Sequence, residues 1–379
     1  MNNARSKHGY ILILALSMLS LIMVIVTGLY NRATPFIFFD AIVIKREKAL
    51  QLALSGVQVA MSQLAANVDE KKDQKTNQPL TPSESPSDLY RGAEKKGPSI
   101  EEQRRTKLFK ALMPTLNHWQ KYPLTQAVDG IKGTLEICIC AEQGKININE
   151  IFDFKAKKFI NEGKPQGDMR KVMQSVFAKL SLYTKDKNLF GVFEKFLKQR
   201  HSKLHEVTEL LRVKEFQDVF ASRQFYEPPL QIKKDLPKGK KQVVYLTDLF
   251  TIWSDQETAN AWLLSDALCA VFGFNRVAYD DLKVRKQMTE QALEQKALSI
   301  TSLDAVWPKG PQLLYGKELT AINTELKPLL SASFEPDTFS VISRGTVGDI
   351  SQKIFAIIER RDPEGDRSTS FVIKRLYVI

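Results

Sequence analysis

Side chains that commonly carry chemistry are few and scattered in this 379-residue chain. Cys138 and Cys140 stand two apart in an alternating stretch, so they share one face of a strand. Extended geometry holds such Cα atoms about 6.5–7 Å apart, which works against a disulfide. Cys269 lies in a helical pattern, and all three cysteines read as packing residues. His201 and His205 are four apart, which suits two ligands on one helix face. The run HSKLH lacks the glutamate of HExxH, no Cys or acid completes a zinc set, and the pair reads as a solvated helix face. Asp255, Asp280 and Asp281 are scattered acids that read equally well as surface residues. The sequence contains no GxSxG, Walker loop, GxGxxG or metal triad, so no enzyme is expected. The net charge is +12, with bases interspersed among acids, the pattern of a solvated basic surface. A DNA-binding helix-hairpin-helix would need glycine hairpins that are not found, and no nucleic acid is expected as partner.

The strongest chemical signal is a peptide bond that another protein would cut. MNNARSKHG is short and basic, and Tyr10 to Asn31 follows with 22 residues and no charge. As a helix this run is about 33 Å long, enough to cross a hydrocarbon core of about 30 Å. Arg5 and Lys7 favour a cytoplasmic N-terminus and a body on the far side. A cleaved secretory signal would have a shorter apolar run and a small-residue cleavage site; an ordinary signal anchor also fits the composition. A leader ending in Gly9 directly before a long apolar helix resembles a type IV prepilin. That resemblance implies cleavage by prepilin peptidase between Gly9 and Tyr10 and N-methylation of Tyr10. Most pilins carry Glu at the fifth mature position, which here is Leu14.

The elements that must carry this segment follow in order. Residues 10–68 form the transmembrane and amphipathic N-terminal helix, with Leu50, Leu54, Val57 and Met61 on one stripe and Pro35 expected to kink the junction. Residues 69–104 are polar and broken by Pro and Ser, the composition of a flexible linker. Helical pattern resumes around Leu108 to Trp119. Leu135, Ile137, Ile139 and Ala141 alternate with polar positions as in a half-buried strand, and Ile146 and Ile148 continue the alternation after a turn at Gly144. Residues 168–305 read as mainly helical, with Thr208, Thr247 and Thr301 as candidate caps of three short helices. Runs at 339–343, 353–360 and 371–379 form an antiparallel meander.

The stretch AEQGKININ resembles the D-E-x-G-[KR]-[IL]-N-[LI]-N run of K-type minor pseudopilins of type II secretion systems. Glu142, Gly144, Lys145, Ile146, Asn147, Ile148 and Asn149 match, and Ala141 replaces the usual acid. Asn147 and Asn149 are expected to tie down loop backbone. This family also lacks the fifth-position Glu. The resemblance implies an α+β fold: an N-terminal transmembrane and amphipathic helix on a pilin-like antiparallel sheet with an inserted helical domain. Its parts would be a leader at 1–9, a first pilin-like part at 105–167, the insertion at 168–305 and terminal strands at 306–379. The implied role is to initiate or cap a pseudopilus, with other minor pseudopilins, prepilin peptidase and the inner membrane as partners and a periplasmic body. The family's helical domain can bind calcium through a D-W-x-D-x-D run, which is not found, so no cofactor is expected and a metal stays open. Other readings are a pilin-like protein of DNA uptake or type IV pilus assembly, and a signal-anchored periplasmic adaptor.

Overall fold

The computed structural model describes residues 5–69, 100–182, 188–227, 243–274, 282–361 and 370–379. Most of the expected linker, 70–99, and the acids Asp280 and Asp281 lie outside the described residues.

Helix α1 runs from Arg5 to Asp69, 65 residues, and stays helical through Pro35. Helix α2, Ile100–Leu112, starts inside the segment assigned to the linker and stops ahead of Pro114. Proline disfavours helical geometry in the residue before it, so the helix expected to reach Trp119 ends early. Trp119 instead opens strand β1, Trp119–Leu124. β1 contains Pro123 and is an edge strand, where the missing N–H does least harm.

Strands β2 (Gly133–Ala141), β3 (Thr338–Val347), β4 (Ile350–Arg361) and β5 (Ser370–Val378) complete a five-stranded sheet in the order β1-β2-β3-β4-β5. Every pairing is antiparallel. The three terminal strands form the meander that their alternation indicates. The fold class is α+β: a long N-terminal helix on an antiparallel sheet, with a helical module inserted between β2 and β3. The module occupies 142–337, wider than the 168–305 that carry long helical stripes. Its flanks are one-turn helices and two-residue bridges, too short to show a period.

One face of the sheet takes α1. Ala49, Leu52, Ala53, Val57, Ala60 and Leu64 are buried there. Of the stripe expected from sequence, Val57 is buried, Leu50 and Met61 are half-buried, and Leu54 is exposed. The buried face mixes Leu52, Val57 and Leu64 with the small residues Ala49, Ala53, Gly56 and Ala60, which let the helix lie close on the strands. Gly56 and Gly345 are the points of closest approach. A Cβ on Gly345 would strike the carbonyl of Ala49, and one on Gly56 would strike the Ser343 hydroxyl.

The helical module covers much of the other face, so β2 is buried on both sides from Ile137 onward rather than half-buried. Cys138 and Cys140 sit inside this layer with no disulfide between them, their sulfurs 3.7 Å apart. Module helices α3 (Met169–Leu180) and α4 (Leu189–Gln199) are amphipathic. Asp168 caps α3 by accepting from the Arg170 and Lys171 N–H groups. Phe177 and Phe193 meet with ring centroids 5.0 Å apart, at the centre of a phenylalanine cluster that includes Phe216 and Phe250.

The three threonines expected as caps do not hold those positions. The N-cap residues of these short helices are Glu206, Tyr245 and Ser302. Each expected cap lies within two residues of the real one, so a shift in where the chain enters the turn decides it. His201 and His205 are exposed in a loop after α4, not on a helix.

Two carboxylates hold the module's outer layer. Arg170 donates to both oxygens of Glu194 at 2.9 and 3.0 Å, and this holds Glu194 below its ordinary pKa. Burial pushes Glu209 upward, but the His205 and Glu206 N–H groups and Arg200 outweigh it, and the net shift is downward. A depressed folded pKa gives stability that is present above the ordinary value of 4.5 and lost as pH falls through the folded value. Thermal melts of the detergent-solubilised chain should therefore fall more steeply below pH 4.5 than above it. Glu194→Gln should flatten that acid limb; an unchanged limb would reject the assignment to Glu194.

Candidate assembly helix and the module clamp

The first candidate site is the N-terminal part of α1. Tyr10–Arg32, 23 residues of mean hydropathy 2.7, is long and apolar enough to cross a membrane, and none of it is buried against the rest of the chain. Its hydroxyls are satisfied inside the helix. Ser17 donates to the Leu14 carbonyl at 2.9 Å, and Thr27 to the Met23 carbonyl at 2.7 Å. Such back-bonding lets hydroxyls enter an apolar medium without an unmet donor. Leu14 is exposed with the rest, and Gly9 lies in the helix directly before Tyr10.

The second candidate is the junction at 142–149. The alternation expected to continue through Ile148 does not: Glu142–Gly144 form a 3-10 turn, Ile146–Asn147 a two-residue bridge, and Ile148–Ile151 one helical turn. Every residue from Glu142 to Asn149 is buried. Lys145 donates to Glu142 and, at 2.9 Å, to the Ser340 hydroxyl of β3; Thr251 of the module donates to the other Glu142 oxygen. Burial alone would lower the Lys145 pKa, but Glu142, with Cys140 and Asp248, outweighs it and raises the net value. The ammonium is held charged.

The two asparagines clasp loop backbone on either side. Asn149 donates to the Leu204 carbonyl at 2.9 Å and accepts from the Leu204 N–H at 2.8 Å. Asn147 caps the following turn by accepting from the Asn149 N–H at 2.9 Å, and its amide donates to the Ser254 carbonyl. A Cβ on Gly144 would overlap the Leu263 carbonyl, so that position admits no side chain. Here a run of unlike residues each grips a different piece of the module, which makes the junction a clamp between module and sheet. Sequence reasoning missed the partners Thr251, Ser254, Leu204 and Ser340, because they lie 55 to 195 residues away. The close contact of α1 with β3 was signalled by Ala49, Ala53, Gly56 and Ala60, small residues at helical spacing.

A groove of about 230 Å³ opens between the end of β5 and the module. Its walls include Glu142, Glu206, Phe225, Trp253, Phe355 and Tyr377. The Tyr377 hydroxyl donates to Glu206 at 2.8 Å. Burial and then this carboxylate push its pKa up to about 12. Both lining carboxylates are thus committed to internal partners. Asp255 is exposed, and among the described residues no group of three or more His, Cys, Asp or Glu could hold a metal ion.

No family model matches this sequence, and no curated protein matches it. Among solved structures it is similar to a chain in the crystal structure of the GspK-GspI-GspJ complex from the enterotoxigenic Escherichia coli type 2 secretion system. That alignment covers 88% of this chain and 96% of the other, at 14% identity and a TM-score of 0.41.

Proposed function

We propose that this chain is a membrane-anchored minor pseudopilin of the K type, which initiates or caps the pseudopilus of a type II secretion system. The observation that carries the reading is the uncovered apolar helix at Tyr10–Arg32, which starts directly after Gly9 and continues into the helix docked on the sheet. In this reading prepilin peptidase removes residues 1–9, Tyr10 is N-methylated, and the helix packs with those of other minor pseudopilins. The body lies in the periplasm. The buried clamp at 142–149 has a structural part in it: it fixes the bulky module to the sheet.

Leu14 supports a place at the filament end. Inside a shaft, a carboxylate at this depth is neutralised by a neighbour's terminal amine in a low-dielectric setting. At an end with no neighbour on one side, the same carboxylate would be desolvated without a partner, at a cost of several kcal/mol. Leucine avoids that cost. The module, wide relative to the five-stranded sheet, also fits an end better than a repeating shaft.

Mass spectrometry of the N-terminus in cells that contain prepilin peptidase tests the reading. The expected mature chain begins at N-methylated Tyr10, and Gly9 replaced by a bulky residue should leave the leader in place. Purified filaments should carry this subunit at low copy number. An intact Met1 in the functional pool rejects the processing, and stoichiometry near that of the shaft subunit rejects the tip position.

A further inference from the structure

The groove at the end of β5 holds chemistry that the clamp does not use. Its volume of about 230 Å³ is too small for a drug-sized ligand and suits one small group or one side chain. Phe225, Trp253, Phe355 and Tyr377 form its walls. The ring centroids of Phe225 and Phe355 are 5.0 Å apart, and those of Phe355 and Tyr377 6.1 Å, so three rings make one continuous wall. Phe225, Trp253 and Tyr377 are only half-buried, which leaves part of each ring open to a ligand.

Two carboxylates reach this groove, and they differ in charge balance. Glu142 is neutralised by the Lys145 ammonium inside the clamp. Glu206 accepts from the Tyr377 hydroxyl at 2.8 Å and from the Thr208 hydroxyl at 3.2 Å. Both hydroxyls are neutral, so they bond the oxygens without cancelling the charge. Arg200 pairs instead with Glu209 at 2.8 Å, and among the described residues no Lys or Arg pairs with Glu206. Arg375 acts on the Tyr377 hydroxyl, but less than Glu206 does. An anion in the groove would meet this carboxylate. A neutral apolar group would desolvate it and leave its charge in place, which is costly. Calcium takes about six to eight oxygen ligands, and ring faces supply none. An organic cation suits both features, because ring faces attract it and the carboxylate neutralises it. A carboxylate offers about four acceptor positions, so Glu206 has room for a further N–H donor. That favours an ammonium with N–H groups over a quaternary one.

We infer that the groove is a binding site for a primary alkylammonium group, with Glu206 as counter-ion and the rings of Phe225, Trp253, Phe355 and Tyr377 around the alkyl stem. The group is carried by a free amine or by a lysine side chain of another protein. The site lies on the module side of the sheet, opposite α1, and stands apart from the processing and filament position proposed above.

Fluorine NMR of the full chain in detergent, with 5-fluorotryptophan in place of tryptophan, tests it. Trp253→Phe assigns the Trp253 signal among the 4 tryptophans. At matched ionic strength n-butylammonium should shift that signal saturably and bind at least about tenfold more tightly than neutral n-butanol. Glu206→Gln should weaken n-butylammonium binding about tenfold. It should leave the unliganded Trp253 signal in place, since the amide still accepts from Tyr377. N-acetyl-lysine methylamide separates the two carriers: binding as tight as that of n-butylammonium assigns a lysine side chain, and binding of n-butylammonium alone assigns a free amine. Equal affinity for n-butylammonium and n-butanol, tighter binding of tetramethylammonium, indifference to Glu206→Gln, or a Trp253 signal that no amine moves would each overturn the inference.

Discussion

Lys145→Met is expected to destabilise the body by about 3–5 kcal/mol, because it leaves Glu142 buried without its cation. Both side chains are 2% exposed, so water cannot take over the lost contact. The Thr251 hydroxyl would remain as a donor to the carboxylate, and proton uptake by Glu142 would recover part of the loss. The double variant Glu142→Gln/Lys145→Met should recover most of it, since a neutral amide can still accept from Thr251 and methionine fills the lysine's volume. Denaturant unfolding of the detergent-solubilised chain gives all three values. A double variant as unstable as the single would reject charge burial as the cause. The folded pKa of Lys145 is raised, so the contribution of the pair is fully present below the ordinary value of 10.5 and is lost as pH rises through the folded value. At neutral pH the clamp is intact. Loss of the pair should also loosen the module on the sheet, because Lys145 bonds Ser340 on β3 and Glu142 accepts from Thr251 in the module.

Gly345→Val should be at least as damaging, with a cost of about 3 kcal/mol or more. The obstacle is backbone rather than a flexible side chain: the Ala49 carbonyl and the Ala53 N–H nitrogen of α1 face this Cα. Neither can turn aside, so the helix must lift from β3. Lifting it exposes Leu52, Val57 and Leu64, which adds the transfer cost of those side chains. Gly130→Val is the control. Gly130 has a φ of 69° but nothing within 4 Å of a Cβ, so only backbone strain of about 1–2 kcal/mol applies there. Protease sensitivity within residues 45–68 measures whether α1 has come off the sheet. If Gly345→Val leaves α1 as protected as Gly130→Val does, the close approach is not what holds the helix. In the proposed assembly this contact matters beyond stability, since α1 joins the body to the apolar span.

Features whose signal is local were legible in the order of residues alone. The uncharged run from Tyr10 fixes an apolar helix through composition and length alone. The meander of β3 to β5 follows from period-two alternation broken by turns, and the amphipathic faces of α3 and α4 follow from helical spacing. Tertiary structure decided what depends on distant partners. The run from Glu142 to Asn149 alternates like a strand, yet it folds as turn, bridge and helix, because Leu204, Thr251, Ser254 and Leu263 claim its side chains and backbone one by one. The buried face of α1 includes Ala49, Ala53, Gly56 and Ala60 beside Leu52, Val57 and Leu64, because the backbone comes so near β3 that small residues are needed at the closest points. Cys138 and Cys140 are buried, as packing residues should be, and tertiary structure closes both faces of β2 from Ile137 onward, where its alternation indicated one. A sequence period reports which side of an element is apolar; how near the neighbouring backbone comes, and which far residue meets each polar group, are properties of the packed chain.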